Sequence, residues 1–198
     1  MKGPIKKLLI ISILAFTSLL FTSQAVFADS DLSISISSDS VQLELLPGEF
    51  GTESQTITAS TTDSSGYTIR LTTASDSAAL VDVLDNSKTI PTFTLPSGSS
   101  SIPVDSIGDG YGYSVDSGAN YLPIPEPLDA PAVLFKTSTA GSNNHTLTFG
   151  VKAPTSIQSG TYSNTFNIVI VANLLPCPAD NICYAGNGDD ETGTMENQ

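Results

Sequence analysis

Thr165-Phe166-Asn167-Ile168-Val169-Ile170-Val171 is the stretch that decides the fold. Side chains one residue apart on a strand point to opposite faces, so Phe166, Ile168 and Ile170 share one face. The β-branched content fits a pleated, half-buried surface. Upstream, Thr146-Leu147-Thr148-Phe149-Gly150-Val151 has the same period of two. So do Leu32-Ser33-Ile34-Ser35-Ile36-Ser37, Val41-Gln42-Leu43-Glu44-Leu45, Gln55-Thr56-Ile57-Thr58-Ala59 and Tyr67-Thr68-Ile69-Arg70-Leu71. Turn chemistry separates them: Pro47-Gly48 after the second of these, Asp63-Ser64-Ser65-Gly66 before the last.

Shorter runs at Thr92–Leu95, Tyr111–Val115 and Ala132–Phe135 extend the pattern. Phe93, Phe135, Phe149 and Phe166 occupy inward positions and are expected in the core. No window after residue 28 keeps a helical period; Ala78 to Leu84 comes nearest and is long enough for a single turn. Eight to ten short strands with turns between them predict an all-β, antiparallel two-sheet sandwich of Ig-like, Greek-key type. A closed barrel is the structural alternative.

Residues 97–131 break the rhythm with Gly108-Asp109-Gly110 and prolines at 123, 125, 127 and 131. They read as a long crossover carrying one inserted strand around Tyr113. Tyr111, Tyr113 and Tyr121 cluster there. They suit either of two roles, a stacking platform for sugar or anchors that pin the loop to the sheet.

The first 28 residues have another character. Lys2, Lys6 and Lys7 precede an apolar run from Leu8 to Phe21, and Val26-Phe27-Ala28 places small residues at −3 and −1 of a cleavage site. The run is short for a bilayer span, which takes about 20 apolar residues. This is the pattern of a secretory signal peptide, expected as a helix, with the membrane met only transiently during export. Asp29, not a cysteine, directly follows the site, which argues against a lipid anchor.

Export changes the charge. All 20 acidic residues lie after Ala28 but only four basic ones do, Arg70, Lys88, Lys136 and Lys152, for a net charge of −16. Such a chain repels nucleic-acid phosphates, whose binding needs Lys and Arg clusters. The 170 remaining residues suffice for one large or two small domains. The expected organisation is a signal peptide at 1–28, a sandwich at 29–173, a linker at 174–181 and a short unit or acidic tail at 182–198.

Candidate chemistry is thin. His145 is the sole histidine and lies in a polar run before a strand, where it reads as an exposed turn residue. Val115-Asp116-Ser117-Gly118-Ala119 looks like the active-site turn of aspartic proteases. That chemistry needs two carboxylates sharing a proton, and no second copy of the motif is present. Asp-Ser-Gly is also ordinary turn chemistry. No catalytic residue is assigned.

Cys177 and Cys183 are disulfide candidates in an oxidising compartment. Zinc needs more ligands than two thiols, and His145 is the lone imidazole. Asn187, Asp189, Asp190 and Glu191 supply oxygen ligands without a calcium-loop spacing. No metal or other cofactor is therefore expected. Asn144-His145-Thr146 fits an N-glycosylation acceptor.

Two resemblances add to this reading. Phe149-Gly150-Val151-Lys152-Ala153, then Ser159-Gly160-Thr161-Tyr162-Ser163-Asn164-Thr165 and the strand to Ala172-Asn173 resemble the closing hairpin of β-sandwich modules in exported surface proteins of small-genome, uncultured bacteria. Ser65-Gly66-Tyr67-Thr68-Ile69 and Gly112-Tyr113-Ser114 fit the same modules, so this resemblance spans about residues 30–173. Ile182-Cys183-Tyr184, Asn187-Gly188, Gly193-Thr194-Met195 and Gln198 resemble the opening strand and turn of the Listeria–Bacteroides (internalin-type B) repeat. Ala185 and Asp189-Asp190 depart from that repeat, whose fold is β-grasp-like, and its remaining strands are missing.

These resemblances imply a non-enzymatic cell-surface structural or adhesion module, expected to be the N-terminal part of a longer repeat-containing protein. A carbohydrate-binding module and a fibre or surface-layer subunit are the alternatives. The expected partner is a surface protein or a glycan.

Overall fold

A computed structural model of the chain describes residues 31–173 and, of the leader, only the backbone of Leu9–Ala15. Its strands are β1 (Leu9–Ala15), β2 (Leu32–Ile36), β3 (Ser40–Leu45), β4 (Phe50–Thr61), β5 (Tyr67–Thr73), β6 (Leu80–Asp82) and β7 (Thr89–Ile90). They continue with β8 (Ile102–Pro103), β9 (Gly110–Ser114), β10 (Asn120–Pro123), β11 (Ala132–Lys136), β12 (Gly141–Lys152), β13 (Thr161–Ser163) and β14 (Thr165–Ala172). Among the described residues there is no α-helix, only a 3-10 turn at Val104–Ser106. The linker at 174–181, the segment 182–198 and both cysteines lie outside the described residues.

The strands form two sheets, as a sandwich requires. One runs β2-β4-β12-β9-β10-β8. Its spine is the β4–β12 ladder, twelve residue pairs from Phe50↔Lys152 to Thr61↔Gly141. In the other, β11, β5 and β14 pair in order, and β13 pairs with β6 and β6 with β7. β13 and β14 are two halves of one strand interrupted at Asn164. β1 runs along the opposite edge of both halves and pairs on its far side with β3. Pairing is antiparallel except where β1 meets β13 and β14.

The core fills the space between the sheets. Ile57 and Ala59 of β4, Ile69 and Leu71 of β5, Leu147, Phe149 and Val151 of β12, and Phe166 and Ile168 of β14 all belong to it. Phe149 and Phe166, one from each sheet, stack with ring centroids 5.7 Å apart. In β4 and β14 these core residues alternate with exposed or half-exposed neighbours, the period-two pattern of the sequence made physical, whereas Leu147–Val151 of β12 is buried on both faces.

Four local expectations are corrected; the helix expected of the leader at 1–28 lies largely outside the described residues. β12 begins at Gly141, five residues before the alternating run, because β4 extends far enough to pair with it. Thr92–Leu95 is not a strand; Thr92 makes one isolated bridge to Tyr111.

Phe135 is half-buried. The register between β11 and β5 shifts from Val133 to Phe135, which turns Leu134 inward and Phe135 toward the rim. Residues 97–131 are more than a crossover with one insert. They contribute β8, β9 and β10, and β9 is an interior strand bonded to β12 and β10.

That last difference has a steric origin. Gly112 of β9 lies opposite Gly150 of β12. A Cβ on Gly112 would overlap the Leu122 carbonyl and the Phe93 ring, and one on Gly150 would overlap the Tyr121 ring. The paired glycines leave a trough on the face of β9 opposite the Tyr111 and Tyr113 side chains. Phe93, Ile102 and Tyr121 fill it as a second small core, flanked by Phe50, Leu95 and Ile107.

Both ends of the body are tied to the β4–β5 corner. The Asp31 N–H donates to Thr62 Oγ1 (3.0 Å) and the Thr62 N–H to the Asp31 carbonyl (3.2 Å). The Asn173 N–H donates to the Gly66 carbonyl (2.9 Å), and Asn173 Nδ2 to the carbonyls of Ser65 (2.9 Å) and Thr137 (2.6 Å).

Candidate functional site

The three tyrosines singled out in the sequence are interior. Tyr111, Tyr113 and Tyr121 are 0 %, 3 % and 1 % exposed. An exposed stacking platform built from these rings is therefore corrected to an aromatic anchor for the 97–131 segment. Tyr111 and Tyr113 face the main core, since both lie on the same face of β9. Tyr121 packs edge-on against Phe50 and Phe93, with centroids 5.7 and 6.0 Å away. Burial pushes all three hydroxyls up from the usual tyrosine range, so each stays protonated.

The Tyr111 hydroxyl reaches a buried polar junction that the sequence did not announce. It donates to the Ala78 carbonyl and accepts from Asn164 Nδ2 at 3.2 Å. Asn164 Nδ2 also donates to the carbonyls of Ser77 (2.9 Å) and Ala79 (2.8 Å). Its Oδ1 accepts from the Thr165 N–H (2.7 Å) and from the Ser75 hydroxyl. Asn164 is 5 % exposed and occupies the break between β13 and β14. One side chain thus supplies main-chain partners to the irregular segment before β6, where no ladder exists. The one signal in the sequence was an amide between two alternating runs.

Asp116 is committed to its own turn. Its carboxylate accepts from the Ser114 hydroxyl (2.7 Å), the Asn120 N–H (2.9 Å) and Asn120 Nδ2 (2.8 Å). The hydrogen bond from Ser114, then those from Asn120, lower its pKa to about 2. Ser117 and Gly118 both have positive φ, 63° and 85°, completing a tight β9–β10 connection. A protease pair needs one carboxyl protonated at working pH, and these contacts push the other way.

His145 is not an exposed turn residue. It lies within β12 and is half-buried, stacked on Phe135 with centroids 4.3 Å apart and an interplanar angle of 19°. Its Nε2 shares a hydrogen bond of 2.8 Å with the Tyr67 hydroxyl, which also accepts from Asn143 Nδ2 (3.2 Å). Burial lowers the imidazole pKa. The neighbouring Asn144 is exposed on the same strand and accepts from Thr58 Oγ1 (2.8 Å).

Among the described residues, no group of three or more His, Cys, Asp or Glu side chains could hold a metal ion. Asp116, His145 and the Tyr111–Asn164 junction are separate from one another, and each is engaged in holding a loop or a strand. The chain matches no family model, and a search of curated proteins finds no match to it.

Proposed function

We propose that the chain is a non-enzymatic, extracellular structural or adhesion module that works by presentation. The observation supporting this is the use to which the reactive side chains are put. Asp116, His145 and the Tyr111–Asn164 pair are each hydrogen-bonded into the scaffold, in three separate places. The leader-like first 28 residues and the net charge of −16 beyond them support export and solubility outside the cell. Loops held on such a body contact a surface protein or a glycan without chemistry. The three buried tyrosines do not serve as a sugar platform in this reading.

The test is expression of the full chain in a bacterium, followed by mass spectrometry and protease treatment of intact cells. The expected result is loss of residues 1–28 and digestion of the protein on intact cells or recovery from the medium. Retention of the full mass inside the cell would overturn the reading.

A further inference from the structure

Seven large apolar side chains stand exposed among the described residues, and five of them fall into two clusters. The first is the turn after β6, Asp82-Val83-Leu84-Asp85, where Leu84 is 93 % exposed. The turn is fixed from within. The N–H groups of Leu84 and Asp85 donate to Asp82 Oδ1 (2.8 and 3.0 Å), and the Val83 N–H donates to the Thr161 carbonyl (2.9 Å). Val83 and Leu84 thus form an apolar knob whose backbone is ordered before any contact is made. Asp85 also pairs with Lys88 at 3.3 Å.

The second cluster is the outward face of β11, β5 and β14. Val133, Arg70 and Val169 lie in one cross-strand row, and Lys136, Thr68 and Val171 in the next. Adjacent strands are about 4.8 Å apart and successive outward positions roughly 7 Å, so these six residues make one compact patch. The three strands hold Arg70 and Lys136 but no Asp or Glu, in a chain with 20 acidic residues. Among the described residues neither cation forms an ion pair, and Arg70 Nε has no hydrogen-bond partner.

We propose that the Val83–Leu84 turn of one copy docks on the Val133–Val169–Val171 face of a second copy, so that copies of the chain join head to tail.

The knob cannot reach the patch of its own copy. It is bonded at Thr161, and Val169 lies eight residues further along β13 and β14, roughly 26 Å away. Between copies, Leu84 would leave water among the three valines. Charge agrees in sign: the turn and Lys88 together carry two carboxylates and one amine, and the strands of the face carry two cations and no carboxylate. Each copy has one knob and one patch at different places on its surface. The contact is therefore heterologous and propagates into chains of copies, unlike a closed two-fold dimer. A knob of two residues on a face of six buries less than the roughly 1,200 Å² of a stable complex, so the contact is weak and forms where copies are concentrated. The net negative charge of each copy opposes approach, but at physiological salt the Debye length of about 8 Å screens all but near contacts. The inference goes beyond the presentation reading and depends on neither export nor a glycan.

The test uses the full chain in about 0.15 M salt and two variants that each keep half of the contact. Leu84→Asp removes the knob. Val133→Thr, Val169→Thr and Val171→Thr together remove the apolar face and keep β-branched residues in the strands. Isotope-labelled Leu84→Asp is titrated with the unlabelled threonine variant up to about 1 mM and followed by amide NMR. Amides at 68–70, 133–136 and 169–171 are expected to shift saturably. With the labelling exchanged, those at 82–85 should shift. Titrating Leu84→Asp with more of itself should show binding at least about tenfold weaker.

Absence of saturable shifts in the mixture would overturn the proposal. So would equal self-binding by Leu84→Asp, which would mean a face-to-face dimer or association through another surface. Should either variant fail to fold, the labelled wild-type chain is diluted from about 1 mM. Shifts at 82–85 and at 133–136 and 169–171 with one common midpoint then support the contact, and shifts in only one of these sets, or in none, overturn it.

Discussion

Replacing Asn164 by Ala tests whether the junction at the β13–β14 break holds the two sheets to the irregular segment before β6. The side chain has five hydrogen-bond partners, three acceptors that share the two hydrogens of Nδ2 and two donors to Oδ1. Counted as about four full bonds at a net of about 1 kcal/mol each, their loss amounts to about 4 kcal/mol. Ser75 and Ser77 are exposed, so water recovers part of that and the expected cost falls to about 3 kcal/mol. For a body of this size 1 kcal/mol corresponds to roughly 3 °C, so Tm should fall by about 9 °C. The assay is thermal unfolding of the full chain followed by circular dichroism. Tyr111→Phe completes a double-mutant cycle, with an expected coupling of about 1 kcal/mol because the two side chains share a bond. A Tm loss below about 3 °C together with zero coupling would show that other contacts position residues 75–79.

Three further outcomes follow from the geometry. Gly112→Ala drives a methyl into the Leu122 carbonyl and should cost about 3 kcal/mol or prevent folding, whereas Gly108→Ala, with open space around it, should be near neutral by the same denaturant titration. Asp116 has a folded pKa of about 2, below its unfolded value of 3.8, so its contribution is present above pH 4 and lost as pH falls from about 4 to about 2; Asp116→Asn should flatten Tm across that window. Burial depresses the His145 pKa, so the unfolded chain takes up a proton first as pH falls below about 6.5. Stability should drop below that pH, and His145→Phe, by keeping the stack on Phe135 without a titrating ring, should abolish the drop.

Much of the architecture was legible because burial and period coincide. In β4 and β14 the core residues Ile57 and Ala59, and Phe166 and Ile168, alternate with less buried neighbours, so the face is read directly from the period. β9 was legible as a strand around Tyr113, but its interior place between β12 and β10 was not. Gly110 and Gly112 alternate with tyrosines, and a glycine reads as a loop unless its opposite, Gly150, is known. The pairing of glycines and the aromatic cover over them are long-range facts.

The functional inventory failed for a related cause. A tyrosine in an irregular segment has the same composition whether it faces water or the core, and Tyr121 became interior because two distant glycines made room for it. Asn164 went unnoticed because its partners are main-chain carbonyls, which leave no trace in the sequence.

The tethering of Asp31 and Asn173 to one corner has a mechanical consequence. Polypeptide enters and leaves the sandwich at the same pole, so the body hangs as a pendant on its chain instead of being threaded end to end. The opposite pole, with the turns around Gly48 and Pro154, stands about 37 Å away along the β4–β12 ladder. Tension on the chain would act across the Thr62 and Gly66 contacts, at the near end of the twelve-pair ladder, and spare the length of the ladder beyond it. Under load such a module would part at its attachment corner, bond by bond, while the far loops kept their shape.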